Sequence, residues 1–481
     1  MPFEPVIGLE IHTQLQTESK LFCGCSTRFG APPNANTCPV CLGLPGALPV
    51  LNRRAVELAV KAALALGCTV HPTSIFARKN YFYPDLPKGY QISQYDRPLA
   101  TEGALEFESH GESRRVGIIR VHLEEDAGKS LHDGLPDSDR MTALDFNRSG
   151  VPLIEIVSHP DVRSAAEAGE YFSRMRAILV ATAVTDGNME EGSLRCDANV
   201  SVRRSGEPFG VKIEIKNLNS FRHVQHALEH EIDRQIAVLE AGGTVDHETR
   251  LWDAAAGRTF SMRSKEEAHD YRYFPEPDLP PLQVPSEAIE ELKRTLPELP
   301  DAQRGRFVAQ YALPDYDAAL LTQSHALAAY FEATAAAAGN AKAASNWIMG
   351  ELTRKMNQDG TRVEQVSLTP QALAGLIRLV DSGTISGPTA KEVFEKMYSS
   401  GRSAEEIVKT DGLAQIDDEA SVQAAVMKVL AANGDAVKQY RGGKKQTYGF
   451  LVGQVIKSMG GKANPALVNT LVRRELDRDP S

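Results

Sequence analysis

A proline-rich segment near the middle of the chain separates two parts of different character. Residues 273–285 read YFPEPDLPPLQVP, and their five prolines exclude a helix because proline lacks the backbone N–H that a helix interior needs. Before this segment, runs such as GVPLIEIVSH and GVKIEIKNL have the length and apolar pattern of strands. Helical patterns interrupt them at 53–66, 164–181 and 221–241. Together these patterns predict an α+β domain over residues 1–290, with a mainly antiparallel sheet.

After about residue 290 the patterns become helical, and charge divides the remainder into two all-α domains. We predict a helical domain over 291–405 and a tail domain over 406–481. Residues 436–474 carry eight lysines and arginines and no acidic residue, although the whole chain has a formal net charge of −10. A solvated basic surface is one explanation. Contact with the phosphate backbone of RNA or DNA is the other, and so complete a bias favours it because clustered cations release counterions from nucleic acid.

Four of the six cysteines lie in the sequence LFCGCSTRFGAPPNANTCPVCLGLPGAL, residues 21–48. The pairs Cys23/Cys25 and Cys38/Cys41 can direct four thiolates to one tetrahedral ion. Disulfides are a competing interpretation, but the rest of the chain has few cysteines and its N-terminus lacks an export pattern; reduced thiols without metal are the other alternative. We predict a structural Zn²⁺ site, a zinc knuckle over 23–41. Four cysteine ligands leave no open coordination position, so the reaction must take place elsewhere.

The composition excludes several classes of protein. With 42% hydrophobic and 24% charged residues, the chain has the balance of a soluble globular protein of two or three domains. No apolar run approaches the about 18 residues of a membrane helix. These features and the cysteine usage predict a cytoplasmic protein with no membrane contact. The acidic net charge excludes a nucleic-acid binder that works by bulk charge alone.

Acidic residues recur in the middle of the predicted strands. Glu10 and His12 are two positions apart, so their side chains leave the same face of a strand. The other acidic members of the set are Glu124, Glu125, Glu155, Asp197 and Glu214. For any one of them alone, a solvated surface is the simpler explanation. Acids that together line one sheet face would repel one another unless a cation lies among them, and Mg²⁺ prefers oxygen ligands. The set therefore favours metal-assisted phosphoryl transfer.

Residues that can bind a nucleotide accompany these acids. The segment 78–94 mixes aromatic, basic and amide side chains in a turn-rich loop, which either stacks an adenine and binds its phosphates or is a hydrogen-bonded structural loop. The candidate nucleotide-binding residues are Lys79, Tyr83, Lys88, Gln91, Arg120, Lys129, Arg195 and Lys216. The tripeptide at 128–130, GKS, imitates the end of a P-loop, but Leu123 occupies the position of the first glycine and acids precede the loop. That motif is therefore absent.

A series of motifs runs along the whole chain. In order they are LFCGCS with CPVCLGLPGALP, RKNYFYPDLPKGYQISQ, HLEEDAGKS, DFNRSGVPLIEIV, GSLRCDANVSVR, KNLNSF and DYRYFPEPDLPPL. The C-terminal sequence YGFLVGQVIKSMGGKANPALVNTLVRREL completes the series. Together they closely resemble the family of B subunits of the bacterial aspartyl/glutamyl-tRNA(Asn/Gln) amidotransferase.

The resemblance implies a cradle-shaped first domain related to glutamine synthetase, and the activity of a carbon–nitrogen ligase. ATP and Mg²⁺ would serve to phosphorylate the side-chain carboxylate of Glu or Asp misloaded on tRNA(Gln) or tRNA(Asn), and ammonia would then displace phosphate to give the amide. The residues first assigned to Mg²⁺ are Glu10, His12, Glu125 and Glu214, with Glu124, Glu155 and Asp197 next. The four cysteines belong to the zinc-bearing form of this family.

The resemblance also implies partners. An A subunit would make ammonia from glutamine, a small C subunit would complete a heterotrimer, and the helical and tail domains would hold the misacylated tRNA by its shape and backbone. Two other interpretations remain open at the level of sequence. One is a non-catalytic scaffold that only binds tRNA, and the other is a ligase acting on free glutamate.

Overall fold

The computed structural model describes residues 3–109, 111–132, 140–264, 271–415, 418–460 and 462–478. Asp270 and Gly461, which belong to two of the motifs above, lie outside this part of the chain. The chain divides into two compact units, Met1–Pro300 and Asp301–Ser481. The first combines a large sheet with helices, and the described part of the second is helical, which confirms the predicted fold class.

The strands of the described residues belong to the first unit. They are β1 (Phe3–Gln14), β2 (Thr69–Val70), β3 (Thr73–Ser74), β4 (Phe76–Asn80), β5 (Tyr90–Gln94), β6 (Ala100–Ser109), β7 (Glu112–Glu125), β8 (Lys129–Leu131), β9 (Ala143–Asp145), β10 (Pro152–Ser158), β11 (Leu194–Arg204), β12 (Ile213–Leu218), β13 (Glu248–Asp253), β14 (Arg258–Ser264), β15 (Phe274–Pro275) and β16 (Leu282–Gln283).

Helices cover the sheet and build the second unit. Those of the first unit are α1 (Arg53–Ala65), α2 (Ala165–Ala181), α3 (Phe221–Glu240) and α4 (Ser286–Arg294). Helix α5 (Pro300–Tyr311) begins at the division between the units. The second unit continues with α6 (Asp315–Leu321), α7 (His325–Ala338), α8 (Ala341–Trp347), α9 (Thr353–Asp359), α10 (Pro370–Asp381), α11 (Gly387–Ser400), α12 (Ala404–Thr410), α13 (Glu419–Ala432), α14 (Gly434–Arg441), α15 (Thr447–Ser458) and α16 (Pro465–Leu476). None of the described helices is both long and apolar enough to cross a lipid bilayer.

Strand β1 lies at the centre of a nine-stranded sheet with the order β14-β13-β12-β11-β1-β10-β7-β6-β2. It pairs antiparallel with β10 on one side and with β11 on the other. Neighbouring strands are antiparallel throughout, except that β12 and β13 run parallel. Parallel neighbours need a crossover connection, and α3 provides it. The sheet is thus mainly antiparallel, as the sequence predicts.

The two faces of the sheet differ because apolar and polar residues alternate along the strands. On β1, Ile7, Leu9 and Ile11 are buried in the core that α1, α2 and α3 share with the sheet. Each of these helices begins after a polar residue whose side chain accepts hydrogen bonds from the first turn, namely Asn52, Ser164 and Ser220. The predicted bounds of all three agree with the structure to within a residue at each end. The opposite face of the sheet is left to the polar side chains.

The second unit contains two clusters of buried apolar residues. One extends from Phe307 to Val408 and the other from Val422 to Leu476. Two helical domains remain our prediction for this part, but the boundary predicted at 405 falls inside α12, whose Ile407 and Val408 belong to the first cluster. The boundary predicted at 290 falls inside α4, whose Ile289 and Leu292 pack against the core of the first unit. The apolar face of α4 thus places it with the sheet, and the first unit extends to Pro300.

Candidate active site and metal centres

A row of acidic and imidazole side chains crosses the open face of the sheet. The antiparallel register places Glu10 opposite Asp197, and His12 opposite Glu155. On the next strand, His122 lies opposite Glu155. Side chains at paired positions share a face of the sheet, so residues from β11, β1, β10 and β7 meet in one line. The predicted clustering of these acids is therefore found in the fold.

Two histidines and two glutamates form the centre of this row. Nε2 of His12 lies 3.5 Å from Oε2 of Glu155, and Nε2 of His122 lies 3.3 Å from the same oxygen. His122 also approaches Oε2 of Glu124 at 3.5 Å, and the hydroxyl of Ser93 donates a hydrogen bond of 3.0 Å to that oxygen. One donor atom from each of His12, Glu124 and Glu155 lies within 4.8 Å of the other two. This spacing suits a shared metal ion.

The charges of the row are strongly coupled. Burial opposes ionisation of Glu155, but His122 and His12 hold the pKa of this carboxyl well below its usual range. Burial also opposes the charge of His122, yet Glu155 and Glu124 raise its pKa to about 9. Further along the row, the pKa of Glu10 is raised rather than lowered. Burial is the main cause, and the neighbouring carboxylates, Glu155 foremost, add to it. The surroundings of Glu10 thus have an excess of negative charge, which a cation would relieve.

Hydrogen bonds hold the acids at the other end of the row. Nδ2 of Asn199 donates to Oε1 of Glu10 at 2.8 Å. Nζ of Lys216 lies between two acids, 2.9 Å from Oδ2 of Asp197 and 3.1 Å from Oε1 of Glu214. Lys216 therefore neutralises part of the acidic row and fixes two of its members.

Three further basic residues surround the acidic face. Nζ of Lys79 lies 4.9 Å from the ring centroid of Tyr271. Burial opposes the charge of Lys79, but nearby phenol and carboxyl groups, Tyr273 foremost, raise the pKa of this lysine. Arg120 follows the same side-chain alternation as His122 on β7, and its Nε is buried without a hydrogen-bond partner among the described residues. Arg195 donates a hydrogen bond of 3.0 Å to Asp126.

Glu125 lies apart from the acidic row. Its carboxylate forms a buried ion pair with Lys88 and accepts a hydrogen bond of 2.9 Å from the backbone N–H of Ile92. Gln91 donates to the carbonyl of Glu125 at 2.7 Å. Gly43 makes room for this pair, because a Cβ at its left-handed φ of 66° would overlap Lys88. The sequence-based assignment to Mg²⁺ places Glu125 ahead of Glu124. In the structure it is Glu124 that lies beside His12 and Glu155.

The structure divides the candidate nucleotide-binding residues into three groups. Lys79, Arg120, Arg195 and Lys216 lie around the acidic face. Lys88 and Gln91 contact Glu125 instead. Tyr83 is 41% exposed, and Lys129 is exposed at the start of β8.

The four cysteines of the knuckle converge on one point. One sulfur from each of Cys23, Cys25, Cys38 and Cys41 lies within 4.8 Å of the others, and no disulfide links the six cysteines, all of which belong to the described residues. Cys41 is buried, and its Sγ accepts a hydrogen bond of 3.1 Å from the backbone N–H of Cys38. A hydrogen bond from the Cys23 thiol lowers the pKa of Cys41 to about 4. Burial opposes this shift, while the backbone N–H of Cys38 and the Lys20 ammonium add to it. A thiolate among four sulfurs is the donor set that Zn²⁺ prefers.

Comparison with known proteins places this arrangement in a family. Residues 5–290 match the model of the GatB/GatE catalytic domain, and residues 329–476 match that of the GatB domain. The B subunit of the aspartyl/glutamyl-tRNA(Asn/Gln) amidotransferase from Trichlorobacter lovleyi is 55% identical over 99% of this chain and 100% of its own length. Proteins of the same name from Carboxydothermus hydrogenoformans and Thermodesulfovibrio yellowstonii are 55% and 56% identical, each over 98% of this chain and 99% of its own length.

The chain belongs to the family of aspartyl/glutamyl-tRNA(Asn/Gln) amidotransferase B subunits. The resemblance seen in the sequence motifs is thereby confirmed over both units. The acidic row and the cysteine centre both fall within the part that matches the GatB/GatE catalytic domain.

In this member of the amidotransferase family, four polar residues outside the predicted set hold the acids in place. They are Ser93, His122, Asn199 and Thr249. His122 and Asn199 each stand two positions from a predicted acid on the same strand, so the period-two alternation would have revealed them. Ser93 and Thr249 come from strands elsewhere in the sequence, and nothing in the local pattern marks them.

The basic tail contains an open groove beside its helices. The groove has a volume of about 870 Å³ and is lined by residues that include Tyr440, Tyr448, Lys445 and Arg473. The two tyrosine rings lie 6.1 Å apart, and the guanidinium of Arg473 stands 5.5 Å over the ring of Tyr448. Aromatic faces next to cations are suited to contact with RNA.

Proposed function

We propose that this chain is the subunit that activates and amidates the aminoacyl group of Glu-tRNA(Gln), Asp-tRNA(Asn) or both. The observation that carries the proposal is the acidic row across β11, β1, β10 and β7, with basic residues around it. A row of this kind supports phosphoryl transfer, which needs groups that bind phosphate and groups that hold a divalent cation.

The reaction proceeds in two balanced steps. A side-chain carboxylate oxygen of the misloaded amino acid attacks the γ-phosphorus of ATP, the bond from that phosphorus to the bridging oxygen breaks, and ADP leaves. Ammonia then attacks the acyl carbon, the carbon–oxygen bond to phosphate breaks, and the amide forms with loss of a proton. Phosphorylation is required because oxide is a poor leaving group from a carboxylate, whereas phosphate is a good one.

The acidic row suits Mg²⁺ by the chemistry of its donors. His12, Glu124 and Glu155 offer converging ligand atoms, while Glu10 and Glu214 extend the carboxylate surface. When bound, Mg²⁺ neutralises phosphate charge and orients the transferring group. We replace Glu125 in our sequence-based assignment by Glu124 because Glu125 is committed to Lys88.

Basic residues of the face bind and orient the phosphates. Lys79 and Arg120 approach the row from β4 and β7. Nε of Arg120 has no hydrogen-bond partner among the described residues, so it can donate to a phosphate. Lys216 contacts both Asp197 and Glu214 and so holds the two carboxylates close together against their mutual repulsion. Arg195 is anchored by its hydrogen bond to Asp126, the residue that follows β7, so its guanidinium reaches across the sheet from β11.

The cysteine centre suits Zn²⁺ because it offers four sulfur donors and a closed geometry. Such a centre supplies structure rather than chemistry. It follows β1 in the chain and precedes α1, so it would fix the connection that leaves the strand bearing Glu10 and His12.

We assign tRNA binding to the helical and tail domains. The run of basic residues at 436–474 and the tyrosine groove support backbone contacts together with stacking of unpaired bases. Ammonia would come from a glutaminase A subunit, and a small C subunit would complete the heterotrimer, in the cytoplasm where tRNA is charged.

The deciding experiment measures ADP release by the assembled amidotransferase with misacylated tRNA. Ammonium chloride serves as the nitrogen source, so that the A subunit is bypassed. We expect Glu10→Gln and His12→Ala to lower ADP release by on the order of a hundredfold or more, since outer contacts alone typically cost 10–100-fold. Glu106→Gln is the matched control, because Glu106 is a highly exposed acid on β6. Unchanged ADP release in both site variants would show a scaffold, and turnover of free glutamate would show a small-molecule ligase.

A further inference from the structure

Lys20 is a fully buried lysine beside the cysteine centre. Its exposed fraction is 0%, and it is the only lysine or arginine in the buried class within the described part of the chain. Removing an ammonium from water is strongly unfavourable unless nearby groups compensate for the lost solvation. Burial of this residue therefore requires partners that satisfy both its hydrogen bonds and its charge.

The contacts of Lys20 include one acceptor that can carry charge. Nζ donates to the carbonyls of Asn36 at 2.7 Å and Phe146 at 3.2 Å, and it reaches Sγ of Cys41 at 3.6 Å. These three contacts match the three donors of an ammonium. The two carbonyls are neutral, so the sulfur is the contact that can balance the charge.

The charge on the sulfurs depends on the occupant of the centre. Four thiolates around one divalent cation carry a net charge of −2, by the sum of four negative charges and two positive ones. An ammonium in hydrogen-bond contact reduces this to −1. An N–H donor also draws electron density from the sulfur, which makes a thiolate a poorer nucleophile towards oxidants and alkylating agents.

We propose that Lys20 is the counter-ion of the four-cysteine centre, which retains the metal by stabilising Cys41 as a ligand. This role rests on the zinc centre proposed above. Cys41 is the natural anchor of such a centre, because it is the buried member of the four and accepts the N–H of Cys38 as well. Lys20 is thus a positioning residue that acts through a metal ligand, and it does not contact substrate.

A purely structural role is the alternative, since Lys20 also joins the knuckle to the segment before β10. Asn147 provides a matched control for that role. Its Nδ2 donates to the carbonyl of Pro32 at 2.8 Å, and its Oδ1 accepts the backbone N–H of Asn36 at 2.8 Å. Asn147 therefore joins the same two segments without a contact to sulfur among its described hydrogen bonds.

The test follows zinc release from the full chain in the assembled enzyme, challenged with N-ethylmaleimide and read by a chromophoric zinc chelator. We expect Lys20→Met to release zinc on the order of 10–100-fold faster than the unchanged chain, the range for the removal of outer-sphere partners. Lys20→Gln keeps a hydrogen-bond donor but loses the charge, so its rate of zinc release should lie between those of Lys20→Met and the unchanged chain. It also serves as the test if Lys20→Met does not fold. Asn147→Ala should release zinc much more slowly than Lys20→Met.

A second readout uses Co²⁺ in place of zinc. Loss of the N–H donor should move the sulfur-to-cobalt charge-transfer band to lower energy in Lys20→Met. The shift should be smaller in Lys20→Gln, which keeps a donor, and absent in Asn147→Ala. If the Lys20 variants released zinc at the rate of the unchanged chain and their spectra were the same, the proposed role of Lys20 would be overturned, while the zinc centre itself would stand. Equal acceleration in Asn147→Ala would show a structural role instead. An unchanged chain that takes up no zinc would overturn the zinc centre, and the role of Lys20 with it.

Discussion

The hydroxyl of Thr249 donates a hydrogen bond of 2.9 Å to Oε2 of Glu214, although the two residues lie 35 positions apart in the chain. Their strands, β12 and β13, form the parallel pair of the large sheet. The buried hydroxyl satisfies one carboxylate oxygen while Lys216 binds the other. Glu214 is thereby fixed from both sides at the edge of the acidic row.

Replacing Thr249 by valine tests whether this fixation matters to catalysis. Valine keeps the shape but removes the donor, and a hydrogen bond to a charged group is worth about 1.5–3 kcal/mol. We expect ADP release with misacylated tRNA to fall about 10–100-fold, as for outer partners of metal ligands. Thr249→Ser retains the hydroxyl and should stay close to the unchanged enzyme. If both variants lost the same activity, the hydrogen bond would not be the cause.

A buried ionic network joins α3 to the edge of the sheet, and its removal should destabilise the first unit. Glu231 is fully buried, and its carboxylate binds Arg234 at 2.7 Å and Thr259 at 3.0 Å. Glu231→Gln takes one anionic partner from Arg250, 3.4 Å away, which then keeps only Glu248, and it also takes the carboxylate that pairs with Arg234. We expect a loss of about 3–5 kcal/mol in the free energy of unfolding, measured on the urea transition of this unit.

The control for this prediction is an ion pair on the surface of α1. Glu57 pairs with Arg53 and Arg54, whose side chains are largely exposed. Glu57→Gln should cost less than about 1 kcal/mol because solvent screens such pairs. Equal losses in Glu57→Gln and Glu231→Gln would contradict the importance of burial.

The buried pair of Lys88 and Glu125 makes a prediction about a double variant. Glu125→Gln leaves the ammonium of Lys88 uncompensated, which should cost about 3–5 kcal/mol in the free energy of unfolding. Combining Lys88→Met with Glu125→Leu removes both charges and should restore much of that loss. Thermal melting of the three proteins decides the matter. A double variant less stable than Glu125→Gln would show that packing, not charge, dominates here.

Loss of the cysteine centre should affect structure before activity. Cys38→Ser with Cys41→Ser removes two of four sulfur donors, so zinc content and melting temperature should fall first. ADP release per folded molecule should remain nearly unchanged at low temperature. Cys68→Ala is the control, since Cys68 is buried away from the knuckle and should leave the zinc content intact. A variant that kept its stability but lost activity would assign the centre a chemical role.

The basic tail predicts a particular salt dependence of tRNA binding. Lys444 and Lys445 are exposed next to the tyrosine groove. Changing both to glutamine should weaken binding and flatten the plot of log affinity against log salt by about one unit for each phosphate that the tail no longer neutralises. Arg53→Gln removes an exposed cation that pairs with Glu57 on α1 of the first unit and should leave the slope unchanged. An unaltered slope in the tail variant would place tRNA elsewhere.

The sequence predicts much of this arrangement because alternation determines which face a side chain takes. Glu10, His12, Glu155 and Asp197 all reach the acidic face as their strand patterns indicate. The alternation in β7, with Val121 and Leu123 in the core, also directs Glu124 to that face.

Other parts of the site could not be predicted because they depend on pairing between distant segments. The partner that withdraws Glu125 is Lys88, from a loop 37 positions away. Thr249 reaches Glu214 only because a crossover helix brings a parallel strand alongside. No local pattern records such neighbours, since they follow from strand order rather than from periodicity.

The central position of β1 also has a consequence for how the protein is made. Phe3 pairs with Arg204, so β1 leaves the ribosome well before its neighbour β11 is complete. At roughly 5–20 residues per second, synthesis of the intervening chain takes on the order of 10–40 seconds. During that time Ile7, Leu9 and Ile11 have no completed sheet to cover them. We expect these apolar residues to make the emerging chain prone to aggregation, so its yield should depend on the speed of translation before residue 204.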